Sequence, residues 1–519
     1  MERRKFLKAT GLMPFMASAM FRENTFASDH ISPASEEGRD FFYRPRDAWA
    51  GDFIPMFYNG RYELFFLLDW RDTAKHGEGV PWYRISTTDL VNFTEHGQML
   101  ARGTAAEQDL FVFTGSALRT NDKFHIFYTG HNPHLAEQGK PMQGIMHAIS
   151  DDLSNWQKLP SETFFAPADR YEKDDWRDPF VFFEPSSARY YMLVAARNKN
   201  GIPRRRGLTA CCSSTDLAHW TVEKPLYDPG LYFTHECPDL FKMGDWWYLI
   251  FSEFTDKVRT RYRMSRSWRG PWIIPVHDDF DGHAFYAAKT ASDGKQRFLF
   301  GWNPTRDDSK DSGGWQWGGN LIVHEIWQQS DGLLAVKMPA SVAAAFTVEQ
   351  PVRFTQGAGS WKDTGDGVML HGTGTYSVAS AGTLPSLCLI TATMTPGSLK
   401  QGDFGVWFKG NDDFDQAYYI RFEPDAGRMV FDKWPRERSE VPGMAELERP
   451  VKFQSNKGIS IKLIIDGNKG VVYVDDAIAM NFRAYDLNNP DWGFFAGDAN
   501  VHVTKVGLNS KPSVIRPIN

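Results

Sequence analysis

One short pattern, written three times at nearly equal intervals, restricts this chain to few folds. Ser86-Thr87-Thr88-Asp89-Leu90-Val91-Asn92-Phe93 returns as Ser150-Asp151-Asp152-Leu153-Ser154-Asn155-Trp156 and again as Ser214-Thr215-Asp216-Leu217-Ala218-His219-Trp220. Asp89 and Asp152 are 63 positions apart, and Asp152 and Asp216 are 64 apart. A second series interleaves with the first: a turn, then an aromatic-rich strand, at residues 60–66, 122–128, 189–195, 245–251 and 296–302. Five such strands imply five units. A period of about 60 residues built from short strands and turns implies a radial array of small sheets, because each sheet has to bury both faces against its neighbours. The expected fold is therefore all-β, with a five-bladed β-propeller over residues 37–338. A long β-sandwich with accidental internal similarity is the competing reading.

Composition fits an all-β chain with many turns. The 18 Trp, 18 Tyr and 39 Phe recur in short runs between Gly, Asp and Asn, which is the punctuation of strands and hairpins. From about Val348 the pattern changes to alternating strands at residues 387–394, 404–409, 417–423, 459–465 and 470–474. With 519 residues the chain has room for a second core, and residues 348–512 are read as a β-sandwich that buttresses the propeller.

Charge and the N-terminus exclude several functions. A net charge of -6 with both signs mixed along the chain gives no sustained positive field, so nucleic acid is not an expected partner. The local run Arg204-Arg205-Arg206 reads as a solvated loop. Arg3-Arg4-Lys5-Phe6-Leu7-Lys8, an apolar stretch over residues 9–20, and small residues at Ala17-Ser18-Ala19 and Ala27-Ser28 resemble a twin-arginine export signal over residues 1–28. That stretch is short of the ~20 residues needed to span a bilayer. The mature chain is thus expected to be exported and without a membrane span. The four cysteines, Cys211, Cys212, Cys237 and Cys388, lack metal-binding spacing and suggest no disulfide framework. No cofactor and no metal are called for.

The repeat also locates the chemistry. Counting back about ten residues from an aromatic strand reaches the strand before it, the innermost of its blade, which lines the central funnel. Asp52 lies 10 residues before Tyr62, Asp178 lies 12 before Tyr190, and Glu236 lies 11 before Trp247. Three acids are thereby expected at equivalent inner positions of the first, third and fourth units. Glycosidic cleavage needs a protonated acid for the leaving oxygen and an ionised carboxylate for the anomeric carbon. Two acids suffice for that, and a third would hold sugar hydroxyls; the spacing leaves the roles open. Taken singly, Trp176-Arg177-Asp178-Pro179 also fits a turn with a structural ion pair, and Glu236-Cys237-Pro238-Asp239 a capped strand start.

At these residues the chain resembles glycoside hydrolase family 32, the invertase, inulinase and levanase group. Glu236-Cys237-Pro238-Asp239-Leu240-Phe241 is similar to the family's Glu-Cys-Pro block, and Arg177-Asp178-Pro179 to its Arg-Asp-Pro block. Phe113-Thr114-Gly115-Ser116-Ala117 resembles its Phe-Ser-Gly-Ser-Ala strand. Phe285-Tyr286-Ala287-Ala288-Lys289-Thr290, Gly301-Trp302 and residues 315–320 follow its fifth blade in order, and residues 472–483 its accompanying sandwich. The resemblance implies a retaining mechanism on fructosyl linkages of fructans, sucrose or fructo-oligosaccharides. In it Asp52 is the nucleophile, Glu236 the acid/base, and Asp178 with Arg177 the grip on fructosyl hydroxyls. Trp49, Phe113, Thr114 and Trp302 complete the substrate-binding set. Retention further implies Asp52 and Glu236 carboxyls roughly 5 to 5.5 Å apart, with Glu236 raised in pKa and Asp52 ionised.

The first block departs from the family's Trp-Met-Asn-Asp-Pro-Asn-Gly: it reads Trp49-Ala50-Gly51-Asp52-Phe53-Ile54-Pro55, and Leu67 stands where a sugar-binding Gln is usual. Lost hydrogen-bond partners alter discrimination between hydroxylated substrates strongly. Two alternatives follow: a furanosidase with another glycone such as arabinofuranose, and a non-catalytic glycan-binding protein of the cell envelope.

Overall fold

A computed structural model describes residues 40–398, 402–436, 447–454 and 457–512. Residues 1–28, expected from the sequence to be an export signal, lie outside the described residues. Strand accounts for 56% of the structure and helix for 5%, so the chain is all-β. No described helix is long and apolar enough to cross a membrane.

From Trp49 to Lys337 the chain runs through five antiparallel meanders. The first comprises Trp49–Tyr58, Arg61–Asp69, Trp82–Thr87 and Thr94–Leu100; the second Phe111–Thr120, Lys123–His131, Gln143–Ser150 and Gln157–Lys158. The third comprises Tyr171–Glu184, Arg189–Asn198, Gly207–Ser214 and Thr221–Val222. The fourth has Glu236–Met243, Trp246–Glu253 and Arg259–Ser265, and the fifth Tyr286–Ser292, Arg297–Arg306, Trp315–Gln328 and Leu334–Lys337. The fifth and first share one sheet through the pairing of Ala50 with Gly319.

Local sequence explains these units. Each copy of the repeated pattern is the turn that leaves a third strand. Asp89, Asp152 and Asp216 each accept two backbone N–H groups from the residues two and three positions on, an Asx turn. A hydroxyl of Thr87, Ser150 or Ser214 accepts the amide of the following Leu. That Leu adopts φ of 63, 65 or 69° and plugs the core. The hairpins at Asn59-Gly60 and Asn121-Asp122 carry positive φ at both central residues, as tight strand turns require.

Beyond Val348 the strands form an eight-stranded and a seven-stranded antiparallel sheet. Ile390, Ile461 and Leu463 of one and Val406, Phe408, Ile420 and Phe494 of the other share a single buried apolar cluster. These sheets bond to the fifth meander through buried polar groups. Asp281 accepts the amide N–H and the side-chain amide of Asn481 at 2.9 and 2.6 Å, and faces His324 Nε2 at 3.1 Å. Arg483 donates to the carbonyls of Pro304 and Asn303. The frame that carries Trp302 is therefore pinned from behind.

Two expectations about side chains outside the site have outcomes. All four cysteines are buried and free, and burial pushes the Cys211 thiol up to about 12. The arginine run is not simply solvated. Arg204 and Arg205 bind backbone carbonyls of Thr255 and Leu231 and pair with Asp256, and Arg206 pairs with Glu172 at 2.6 Å. The reason is local: acids on the neighbouring loop and strand meet all three guanidinium groups.

Candidate active site

The first strand of every meander is interrupted at the same height. Register slips between Gly51 and Ile54, Phe113 and Gly115, Glu236 and Asp239, and Tyr286 and Lys289, and in the third meander between the partners of Leu193 and Ala195. These are β-bulges, which bend a strand and re-aim its side chains. Asp52, Asp178, Cys237 and Ala287 sit in them with φ of 48, 58, 51 and 51°. Asp tolerates this left-handed region better than most residues, whereas Cys and Ala are held in it by the surrounding sheet.

The register corrects the sequence reading by one residue. Asp52 and Asp178 occupy the same bulge position, but Glu236 pairs with Ser252 one step earlier, level with Arg177 and Tyr286. The offsets of 10, 12 and 11 had combined two causes. Asp178 is six residues from its strand end, as Asp52 is, and gains two positions from a longer hairpin turn, while Glu236 starts one residue further from its own.

Hydrogen bonds link these strands in sequence. Thr114 Oγ1 donates to Asp52 Oδ2 at 2.5 Å. Thr129 Oγ1 donates to the carbonyl of Thr114 and accepts the amide of Asp178 at 2.7 Å. The amide of Cys237 donates to Asp178 Oδ2 at 3.0 Å, and Arg177 Nη2 donates to Glu236 Oε1 at 3.1 Å. Tyr286 donates to Glu236 Oε2 at 2.6 Å, and Trp302, paired with Tyr286 across the fifth hairpin, donates its indole N–H to Asp52 Oδ1 at 2.9 Å. The circuit begins and ends at Asp52. It brings together Asp52, Thr114, Arg177, Asp178, Glu236 and Trp302.

Electrostatics set the two titrating acids apart from ordinary carboxylates. Burial pushes Asp52 up to about 7; the Thr114 and Trp302 donors favour its ionised form, and the charges of Asp178 and Glu236 disfavour it. That differs from the expectation of a fully ionised Asp52, because the loss of water outweighs the two donors. Burial also raises Glu236, opposed by Arg177 and by the Tyr286 hydrogen bond and reinforced by Asp178. Glu236 nevertheless keeps 21% of its side chain exposed, enough to meet a ligand.

The other anticipated binders lie around this circuit. Trp49 is held between the guanidinium groups of Arg44 and Arg71, 4.5 and 4.4 Å from its ring. Phe113 stacks on His131 at 4.7 Å. The family departures have a packing explanation. Leu67 is buried in the cluster that Trp317 packs against, and a Cβ on Gly51 would meet the Trp317 indole at 2.5 Å. The indole fills the room that a larger residue at 51 needs.

Sequence reasoning missed Tyr286, Thr129, Asp175 and Trp317. Tyr286, level with Glu236 in the fifth unit, and Trp317, within residues 315–320, stood in motifs already singled out; Thr129 and Asp175 carry no periodic signal.

Buried like charges that raise the proton affinity of Asp52 and Glu236 weaken a fold, and such clusters persist where paired acids do proton and carbohydrate chemistry. The class is a carboxylate-dependent glycoside hydrolase. Residues 43–337 match the Glycosyl hydrolases family 32 N-terminal domain, more than half of the chain, and the chain belongs to that family. It is 22% identical over 475 residues to the raffinose invertase of Escherichia coli, covering 86% of this chain and 89% of that protein. It is 23% identical over 355 residues to the sucrose-6-phosphate hydrolase of Escherichia coli, covering 60% and 66%. The solved structure of fructan 1-exohydrolase IIa from Cichorium intybus superposes with a TM-score of 0.71 at 18% identity, over 92% of this chain and 97% of that one, a likeness of fold. The chain is thus a glycoside hydrolase acting on fructosides. The family assignment gives no support to arabinofuranose as glycone or to a non-catalytic binding protein.

Proposed function

We propose that the chain is a retaining β-fructosidase whose five meanders are the blades of a propeller over residues 37–338, followed by a β-sandwich over residues 348–512. The observation that carries this reading is the hydrogen-bond circuit that passes through the first strand of each meander and returns to Asp52. Strands arranged around a common axis account for such a path, and the single pairing of Ala50 with Gly319 supports closure between the last unit and the first.

In this reading a fructosyl unit lies over the circuit. Asp52 attacks the anomeric carbon while Glu236 gives its proton to the departing oxygen, leaving a fructosyl ester on Asp52. Glu236, now ionised, takes a proton from water, whose oxygen displaces Asp52. Asp178, fixed by the Cys237 amide, and Arg177 hold the sugar hydroxyls. Trp49, Phe113, Thr114 and Trp302 shape the pocket. The substrates are fructans, sucrose or fructo-oligosaccharides, in keeping with the substrates in the relatives' names. Export is part of the same proposal and rests on Arg3-Arg4 and the apolar stretch behind them.

Release of fructose or fructo-oligosaccharides from sucrose, raffinose, inulin or levan tests the assignment. Turnover of at least one is expected. No turnover on any, with cleavage of an aryl arabinofuranoside, contradicts it.

The donors on Asp52 supply a pH test. Trp302 N–H stabilises the ionised carboxylate, so its removal raises the Asp52 pKa above about 7. A hydrogen bond to a charged group is worth about 1.5 to 3 kcal/mol, hence at least about one pH unit. The acid limb of kcat/KM in Trp302→Phe is expected to move to higher pH by that amount; a limb that stays in place or moves down removes Asp52 as the group behind it.

A further inference from the structure

Arg177 presents a difficulty to the reaction just described. An arginine bonded to a carboxylate favours its ionised form, yet Glu236 has to begin the cycle protonated. We propose that Asp175 is a positioning residue of this reaction: shared between Arg177 and Arg197, it draws the Arg177 charge away from Glu236 and leaves that acid able to hold its proton. The proposal rests on the acid role given to Glu236 above.

The geometry is a row of alternating charges ending at Glu236. Arg206 pairs with Glu172 at 2.6 Å, and Glu172 pairs with Arg197 at 2.8 Å. Arg197 Nε faces Asp175 Oδ2 at 3.3 Å, and Asp175 Oδ1 accepts from Arg177 Nη1 at 2.5 Å. The other terminal nitrogen of Arg177 donates to Glu236 and to Thr234 Oγ1. Asp175 and Glu236 therefore compete for one guanidinium from its two ends. Although burial works against the charge on Arg177, Asp175 sustains it more than Glu236 or Asp178 does.

Arg197 makes the competition stable. Its side chain is 3% exposed. Its terminal nitrogens donate to the carbonyls of Phe233 and Pro203 at 2.6 and 2.8 Å, and its guanidinium lies 3.6 Å from the Phe233 ring centroid. It thus fixes both Asp175 and the backbone three residues before Glu236. A buried cation engaged on every side costs desolvation that stability alone seldom recovers.

The surroundings of both acids define what else acts on them. Glu236 is faced by Arg177 and Asp178 from the third meander, Tyr286 from the fifth, Asp52 from the first and Cys237 from its own strand. Arg177 also lies within electrostatic reach of His131 of the second meander. None of these holds the outer end of Arg177.

Two variants of the full chain shift the alkaline limb of kcat/KM in opposite directions. In Asp175→Asn the Arg177 charge is uncompensated, Glu236 ionises more readily, and the limb is expected to fall by about one pH unit; Asp175→Glu returns it towards the parent. In Arg197→Gln a cation is lost and Asp175 settles fully on Arg177, so the limb rises. This second variant keeps the test decisive if the first folds poorly, which thermal unfolding reports. Limbs that stay in place in both variants while the whole profile drops would make Asp175 a structural ion pair and overturn the proposal. Glu236→Gln separates the two levels. If the parent's alkaline limb persists there, the acid assignment itself has failed; if it disappears while Asp175→Asn leaves the limb unmoved, only the positioning role fails.

Discussion

Asp52→Asn is expected to abolish turnover of every fructoside the parent cleaves, with kcat reduced on the order of 10⁴- to 10⁶-fold, the range for loss of a nucleophile. The variant suits the purpose because asparagine accepts positive φ almost as readily as aspartate, and position 52 sits at 48°. Its amide oxygen still accepts from either Thr114 or Trp302. The bulge, the inner strand and the pairing of Gly51 with Leu67 are preserved, and thermal unfolding should be nearly unchanged. A loss confined to kcat, with ligand binding retained, is what removal of a reacting atom predicts. Residual kcat within about tenfold of the parent excludes Asp52 as the attacking group.

Glu236→Gln gives a different failure. General acid catalysis contributes about 10²- to 10⁴-fold, so cleavage of sucrose or a fructan falls by that factor. An aryl fructoside, whose leaving group departs without a proton, loses far less in the first step. Its second step then lacks a base, and steady turnover stalls after a burst. Azide, which needs no base, restores the rate and yields fructosyl azide. Arg177 and Tyr286 both find a partner on glutamine, the former on its oxygen and the latter by accepting from its NH₂, so the surrounding bonds at 3.1 and 2.6 Å have counterparts. Equal loss on both substrate types, without azide rescue, contradicts the acid/base role.

How much of this was legible before any coordinates depended on the range over which each residue acts. The Ser-x-Asp-Leu turns were readable because hydroxyl, carboxylate and amide lie within three residues of one another, so the motif carries its own geometry. The strands near 387–394 and 459–465 were readable for a similar reason, an alternation that alone requires one face to be buried. The three acids emerged from spacing. Their relative height did not, because a two-residue difference in hairpin length and a one-residue shift in register both enter the same count.

Tyr286 and Asp175 illustrate what a linear reading loses. The bond from Tyr286 to Glu236 spans 50 residues, and the pair formed by Asp175 with Arg197 joins strands through a bulge that no local pattern announces. The raised proton affinity of Asp52 was illegible on the same account. The indole that donates to it lies 250 residues away, and its desolvation is a property of the assembled strands. The family motif supplied the residue, whereas only the packing supplies its proton affinity.

The central claim is that Asp52 and Glu236 act from opposite sides of one anomeric carbon through a covalent intermediate. Incubation of Glu236→Gln with an aryl fructoside, acid quenching and peptide mass analysis tests this most directly. A single fructosyl group on the peptide that contains Asp52 is the predicted result; an unlabelled chain, together with a first-formed sugar of inverted configuration from the parent, contradicts it.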